Sequence, residues 1–286
     1  MTADPSVETR PDGTAGSGPL RESHRTSWWQ QNRRGALVWG LRVLVVLVFL
    51  LLWQVLSGPV LDESFVSRPS EIWARFIEWV GDGTLAVHTW ITLREIILGF
   101  LFGSLAGVLL AYLLGSMYLV YDVLEPLIMA LYAIPKVALA PLFIMWVGIG
   151  LEMKVLLAAI SVFFLVFINT IAGIREVDRG LIDAARLMGA DRWTVIRKVI
   201  LPASMSGLLT GLKVAIPYAL IGAVIGELVA SNQGLGYLIN NAAARFDTAG
   251  VFATLIVLTV LAAVLNFAVG LLARRVNRWK PLAQAE

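Results

Sequence analysis

Long apolar runs separated by short polar stretches dominate the chain. Six blocks stand out, at about Ala36 to Ser57, Glu95 to Gly115, Leu119 to Val147, Lys154 to Ile174, Met205 to Ala230 and Gly250 to Leu272. At about 1.5 Å per residue, each block can cross about 30 Å of hydrocarbon as a helix. Ile96 to Tyr121, Val155 to Ile174 and Thr248 to Ala273 carry no charge, and the third and fifth blocks keep spanning length despite Lys136 and Lys213. The pattern predicts an all-α polytopic membrane bundle of six transmembrane helices. Pro135, Pro141 and Pro217 predict kinks whose freed carbonyls need partners from neighbouring helices or a wet cavity. Gly99, Gly103 and Gly107 form a small-residue stripe suited to close helix packing.

The segments between blocks differ in character. Residues 1–34 are rich in Gly, Ser, Thr, Pro and Arg and cannot offset the entropy of ordering by burying surface, which predicts a disordered cytoplasmic tail. The first block is too long for a signal-peptide core and no A-x-A-like site follows it, so it is expected to remain as the first span. Between Pro69 and Trp90, Ile72, Trp73, Phe76 and Trp79 or Val80 recur at helical spacing, as in an amphipathic helix along the outer surface. Asn232, Gly234 and Gly236 mark turns in the connection from Ala230 to Gly250.

Charge placement sets the expected orientation. With six spans and the N-terminus inside, sixteen of the 23 Lys and Arg residues fall on the cytoplasmic side, against Arg68, Arg75, Arg94, Lys154 and Arg245 outside. The positive-inside rule then places both termini in the cytoplasm. Trp39, Trp90, Trp146 and Trp279 near block ends fit interfacial belts. Arg94 and His88 precede the second block and read most simply as interfacial.

Composition narrows the chemistry. Hydrophobic residues make up 58% of the 286 positions and charged residues 15%, a balance that suits a bilayer as solvent. The absence of cysteine excludes disulfides, thiolate nucleophiles and Cys-ligated zinc. The two histidines, His24 and His88, lack carboxylate partners at metal-binding spacing, so no metal is expected. A net charge of +3 spread beside apolar blocks argues against nucleic-acid binding.

One connection has internal design. In residues 175–202, Asp178 can cap a first short helix that ends at Gly189, and Asp191 can cap a second through about Val199, with Pro202 marking entry into the fifth span. On the first helix Leu181, Ala184, Ala185 and Met188 lie at i, i+3, i+4 and i+7, an apolar face with a small-residue centre. Opposite them, Asp183 is in reach of Arg179 and Arg186. A hairpin resting on the inner leaflet through Arg192, Trp193 and Arg197 would use the same pattern.

The run Asp183-Ala184-Ala185, Gly189, Val199 and Leu201-Pro202 resembles the EAA loop of ATP-binding-cassette (ABC) importer permeases, with Asp for Glu and Val for Ile. The resemblance covers about Ser67 to Trp279. Ile134-Pro135-Lys136, Pro141-Leu142, Gly148-Ile149-Gly150, Gly211-Leu212-Lys213, Glu227 and Gly234-Leu235-Gly236-Tyr237 resemble the nitrate, sulfonate and taurine branch. It implies a type I ABC importer permease domain over residues 35–280, with a coupling loop at 175–202 and a short tail at 281–286. It further implies a homodimer of permeases, two separate ATPase subunits that bind ATP and Mg, and an extracytoplasmic substrate-binding protein. No cofactor is expected on this chain, which has no Gly-x-x-x-x-Gly-Lys-Ser/Thr loop.

Within the spans, Lys136 beside Pro135 reads either as a cation on the translocation path, suited to an anion such as a sulfonate, or as a structural partner of Glu125 or Glu227. Lys213 reads either as a second candidate on the translocation path or, more simply, as snorkelling toward the cytoplasmic surface. Glu227 reads as an outer-gate residue or as a plain helix-end carboxylate. Two rivals remain: a membrane enzyme on a lipid-like substrate, which would show clustered acid–base residues, and an ion-driven transporter, which would show midplane acids and repeated halves.

Overall fold

The computed structural model describes residues 28–60 and 62–276, with side chains placed from residue 35 and, at the C-terminal end, only through 271 and at 275. The helices in chain order are α1 (Trp28–Leu56), α2 (Glu63–Val66), α3 (Pro69–Gly81), α4 (Thr84–Gly115) and α5 (Tyr118–Ala133). A 3-10 turn (Lys136–Leu139) then leads to α6 (Ala140–Val147), α7 (Leu151–Arg175), α8 (Arg179–Leu187) and α9 (Arg192–Val195). A π turn (Ile196–Ile200) leads to α10 (Leu201–Val229), α11 (Leu235–Ala244) and α12 (Thr248–Val276). Residues 28–52 form one unit and the remainder, from Trp53, forms the other.

Among the described residues, five helices are long and apolar enough to cross a membrane, and a sixth crossing follows if α5 with the Lys136–Val147 segment counts as one. The kink expected at Pro135 is a full break: the two halves of the third block meet at 84° across Ile134 and Pro135. Proline has no N–H for a helical bond and its ring clashes with the preceding turn, so the helix ends before it. The broken end is closed by its own lysine: Lys136 Nζ donates to the Tyr132 carbonyl and lies over the Tyr132 ring, 4.4 Å from its centroid. Pro141 instead starts α6, and α10 runs through Pro217 without a break.

Other boundaries also shift. Helix α1 begins at Trp28, inside the stretch expected to be a disordered tail, while residues 1–27 and 277–286, with Trp279 and the 281–286 tail, lie outside the described residues. The second span starts at Thr84 rather than Glu95, so His88 and Arg94 belong to α4 instead of preceding it. Helix α3 forms as expected but stops at Gly81. It buries Ile72 and packs Phe76 and Trp79 on the bundle, leaving Trp73 and Val80 exposed. Trp39, Trp90 and Trp146 are all exposed.

Helix α7 is the axis of the second unit, with Leu157, Val162, Val166 and Phe167 fully buried. Between lipid-facing helices water expulsion supplies little drive, so association rests on close van der Waals approach. The glycine stripe of α4 provides it: a Cβ on Gly107 would come within 2.8 Å of the Phe163 carbonyl oxygen of α7. Helix α10 approaches the other side of α7 as closely, since a Cβ on Gly222 would sit 2.7 Å from Ala158 Cα. This α4–α7–α10 sandwich carries polar structure at each end.

Candidate functional site

At one end lies the 175–202 loop, and its local geometry follows from its capping residues. Asp178 accepts from the Gly180 N–H at 2.8 Å and starts α8. At the far end of α8, Gly189 has φ +84°, a left-handed conformation that suits glycine. Ala190 N donates to Ala185 O at 3.0 Å and Gly189 N to Arg186 O at 2.9 Å, the paired closure of a Schellman motif. Asp191 then accepts from the Thr194 N–H at 3.3 Å and caps α9. The Thr194 hydroxyl, with that N–H, holds the exposed Asp191 carboxyl below the usual aspartate range.

Pro202 does not mark a boundary, contrary to the expectation above. The π turn at Ile196–Ile200 widens the helix immediately before it, with the Leu201 N–H reaching back to Ile196 O, and the chain runs on as α10. The wider turn accommodates the proline ring and its missing donor, so loop and span form one continuous helical rod. Ser204 Oγ donates to the Ile200 carbonyl at 2.7 Å and lies 2.8 Å from the Tyr112 hydroxyl of α4.

The apolar face expected on α8 divides in two. Ala185 turns inward with Ile182, joining Val177, Val195 and Ile200 in a core shared with Ala111 and Leu114 of α4, Tyr121 of α5 and Phe167 of α7. Leu181 and Met188 face out at 57% and 82% exposure, beside exposed Ala184 and with Leu187 at 90%. Among the described residues Asp183 pairs with Arg186, at 3.8 Å, and not with Arg179, whose guanidinium lies 5.8 Å from the centre of the Tyr118 ring. Leu201 is exposed at the root of α10. Arg192 bonds the Ser116 carbonyl at 3.1 Å and hydroxyl at 3.2 Å, tying the loop to the α4–α5 turn.

At the opposite end of the sandwich the charges are buried. Lys154, counted from the sequence among external loop residues, sits in the first turn of α7 and pairs with Glu95 of α4 at 2.7 Å. Their side chains are 8% and 1% exposed. Lys154 Nζ also donates to Ser231 Oγ at 2.9 Å. Glu227, at the end of α10, is 1% exposed and accepts from the Thr92 hydroxyl and the Gly236 N–H, both at 2.6 Å. The Leu235 N–H donates to Thr92 Oγ1 and the Gly234 N–H to His88 Nδ1, both at 2.8 Å. The first turn of α11 is thus capped by side chains of α4 and α10, which satisfy donors that a buried helix start cannot leave orphaned. Gly234, at φ +106°, lies against the Glu227 carboxyl, where any side chain would collide.

These placements sort the residues singled out in the spans. Lys136 pairs with neither Glu125, which lies 3.6 Å from Arg175, nor Glu227, which belongs to the α11 cap. Among the described residues no carboxylate meets Lys136 or Lys213. Lys213 is exposed midway along α10, on a groove of about 470 Å³ shared with Asn266 and Phe267 of α12. The Glu95–Lys154 pair was not anticipated, although a signal was present: the second and fourth apolar blocks begin on these residues, which carry opposite charges at the same membrane level.

The family model described as "Binding-protein-dependent transport system inner membrane component" matches residues 99–278. A Bacillus subtilis (strain 168) protein named for aliphatic sulfonates transport, SsuC, is 35% identical over 92% of this chain and 96% of its own. The riboflavin transport system permease RibX of Chloroflexus aurantiacus is 38% identical over 84% of this chain and 90% of its own. Among solved structures, an inward-facing MetNI methionine ABC transporter shares the fold. Its TM-score is 0.59 at 22% identity, covering 69% of this chain and 96% of that one.

Proposed function

Since the chain belongs to the binding-protein-dependent transport family of inner-membrane components, we propose that it receives ATP-driven movement through α8 and passes a small anionic solute along its spans. It is a multi-pass membrane permease of an ABC importer. The exposed Leu181, Leu187 and Met188 on a capped, closed-off helix carry the coupling reading. Full burial of each against a partner would contribute about 1.5–3 kcal/mol, and a rigid helix delivers displacement to the spans without bending. Asp183, Ala184 and Arg186 complete the docking surface, while Ala185, Gly189, Leu201 and Pro202 hold its shape. The partner is a separate ATPase that binds ATP and Mg, and two copies of this permease would pair over two such ATPases. An external binding protein delivers the solute, and both termini face the cytoplasm.

The solute path is read from Lys136, with Pro135 setting its place at the bend, and from Lys213. Both are cations within the spanning region that no carboxylate neutralises among the described residues. Glu227 contributes as the outer-end closure. Bonded to Thr92 and to the α11 backbone, it serves as a structural latch rather than as a site for a driving ion.

Purification of the chain from its native host tests the coupling reading: an ATPase subunit is expected to accompany it, and recovery of none overturns the proposal. Replacing Gly189 by valine, which disfavours the left-handed conformation, is expected to abolish coupled transport while the spans remain folded. Affinity of the external binding protein for sulfonates, nitrate, taurine and aromatic carboxylates tests the solute class. Preference for a neutral or cationic solute would overturn the anionic reading.

A further inference from the structure

Helix α5 is held very unevenly. Tyr121, one turn from its start, is its only buried residue, and its other end is the 84° break at Ile134 and Pro135. Beyond that break, α6 is anchored to α7 through Phe143, Met153 and Leu157. Helix α5 therefore has a firm attachment at its loop end and a fixed pivot at its other end; between them it passes through Pro126, with Leu124 and Ile128 partly buried and Val123 and Leu127 exposed.

The firm attachment is made by the loop. Arg175, the last residue of α7, pairs with Asp122, lies 3.6 Å from Glu125, and places its guanidinium 4.7 Å from the centre of the Tyr121 ring. Tyr121 rests in turn on Phe167 of α7, with ring centres 6.4 Å apart, and shares its core with Ile182 and Ala185 of α8. Two flanking contacts reinforce the attachment, Arg192 on Ser116 and Arg179 over Tyr118.

We propose that Arg175, gripping Tyr121, Asp122 and Glu125, makes α5 a lever that carries movement of the loop to the Pro135 pivot, and so repositions Lys136. These are positioning residues, acting on the path through α5. The ion pairs are partly exposed, so they can re-form as the helices tilt. The planar guanidinium stacks on the ring and meets two carboxylates at once, a combination lysine cannot reproduce. The inference rests on the proposal that an ATPase moves α8.

A nitroxide label at Leu127→Cys tests it in the assembled transporter, since this chain has no cysteine of its own and those of the partner can be replaced. Trapping with ATP and vanadate is expected to change label mobility in the unsubstituted background. Arg175→Ala is expected to reduce that change at least twofold, and Arg175→Asp with Asp122→Arg to restore most of it. Should Arg175→Ala fail to assemble, Asp122→Asn with Glu125→Gln keeps the arginine and side-chain sizes and is expected to show the same loss. A full response in Arg175→Ala or in Asp122→Asn with Glu125→Gln, or no rescue by the exchanged pair, would overturn the lever. Co-purification separates the two proposals: an ATPase that assembles while α5 is unresponsive refutes the lever alone, whereas no ATPase with the unsubstituted chain removes both.

Discussion

The two ends of the α4–α7–α10 sandwich use charge in opposite ways. At the α11 end, Glu95, Lys154 and Glu227 are almost wholly buried, and their hydrogen bonds join α4, α7, α10 and α11. At the loop end, Arg175, Asp122, Glu125, Asp183 and Arg186 pair with side chains 38–68% exposed. A buried pair has no water to replace a lost partner, so the α11 end favours one arrangement. An exposed pair exchanges a partner for water at little cost, so the loop end can rearrange and present a surface to another chain.

The largest effect should come from breaking the buried pair. Lys154→Ala leaves Glu95 buried without its cation and is expected to destabilise by about 3–5 kcal/mol, read as loss of folded protein in a detergent thermal-melt assay. Replacing both as Lys154→Met with Glu95→Leu should recover much of that loss, because the cost lies mainly in the uncompensated charge. A double variant no better than Lys154→Ala would mean that the pair itself stabilises the fold.

A smaller and more local effect is expected at Thr92, whose hydroxyl serves the Leu235 N–H and Glu227 together. Thr92→Val should cost about 1–3 kcal/mol and raise amide exchange in α11 while leaving α8 protected. Equal loosening at both ends would break the proposed division between them.

At the loop end the effects should be slight. Arg186→Ala removes one exposed pair with Asp183 and is expected to cost about 0.2–0.5 kcal/mol, a difference that shrinks with added salt. The smallest effect is a pH dependence of α9. The folded Asp191 carboxyl titrates below its unfolded value, so its contribution to capping is present above the ordinary aspartate range and is lost as pH falls through the lowered folded value. The protection factor of the Thr194 amide, which removes the intrinsic pH dependence of exchange, should therefore fall at acid pH in the native chain but not in Asp191→Asn. A cap equally weak at neutral pH would contradict this.

Much of the loop could be read from residue types, because caps are local. Asp178, Gly189 and Asp191 perform the roles their chemistry suggests within one or two turns of chain. The inward turn of Ala185 was not legible, because which part of an apolar helix face is buried depends on Val195, Ile200 and Tyr121 arriving beside it. The passage of helix through Pro202 was hidden for a similar reason, since a proline reads as a boundary unless a widened turn precedes it. Lys154 looked like a loop cation because hydropathy places a charge at a block edge without revealing what stands opposite.

Hydropathy and the glycine stripe determined by themselves that this chain spans a membrane as a bundle of closely packed helices. Both properties depend on residue type and spacing along a single helix, and helices in lipid must satisfy their own backbone. Only the tertiary structure decided which charges became permanent and which stayed free to exchange. Glu95 and Lys154 are 59 residues apart in the chain and Thr92 and Glu227 are 135 apart. Their burial follows from α4 and α10 closing on α7, a close approach that the stripe permits and whose contacts no single helix contains.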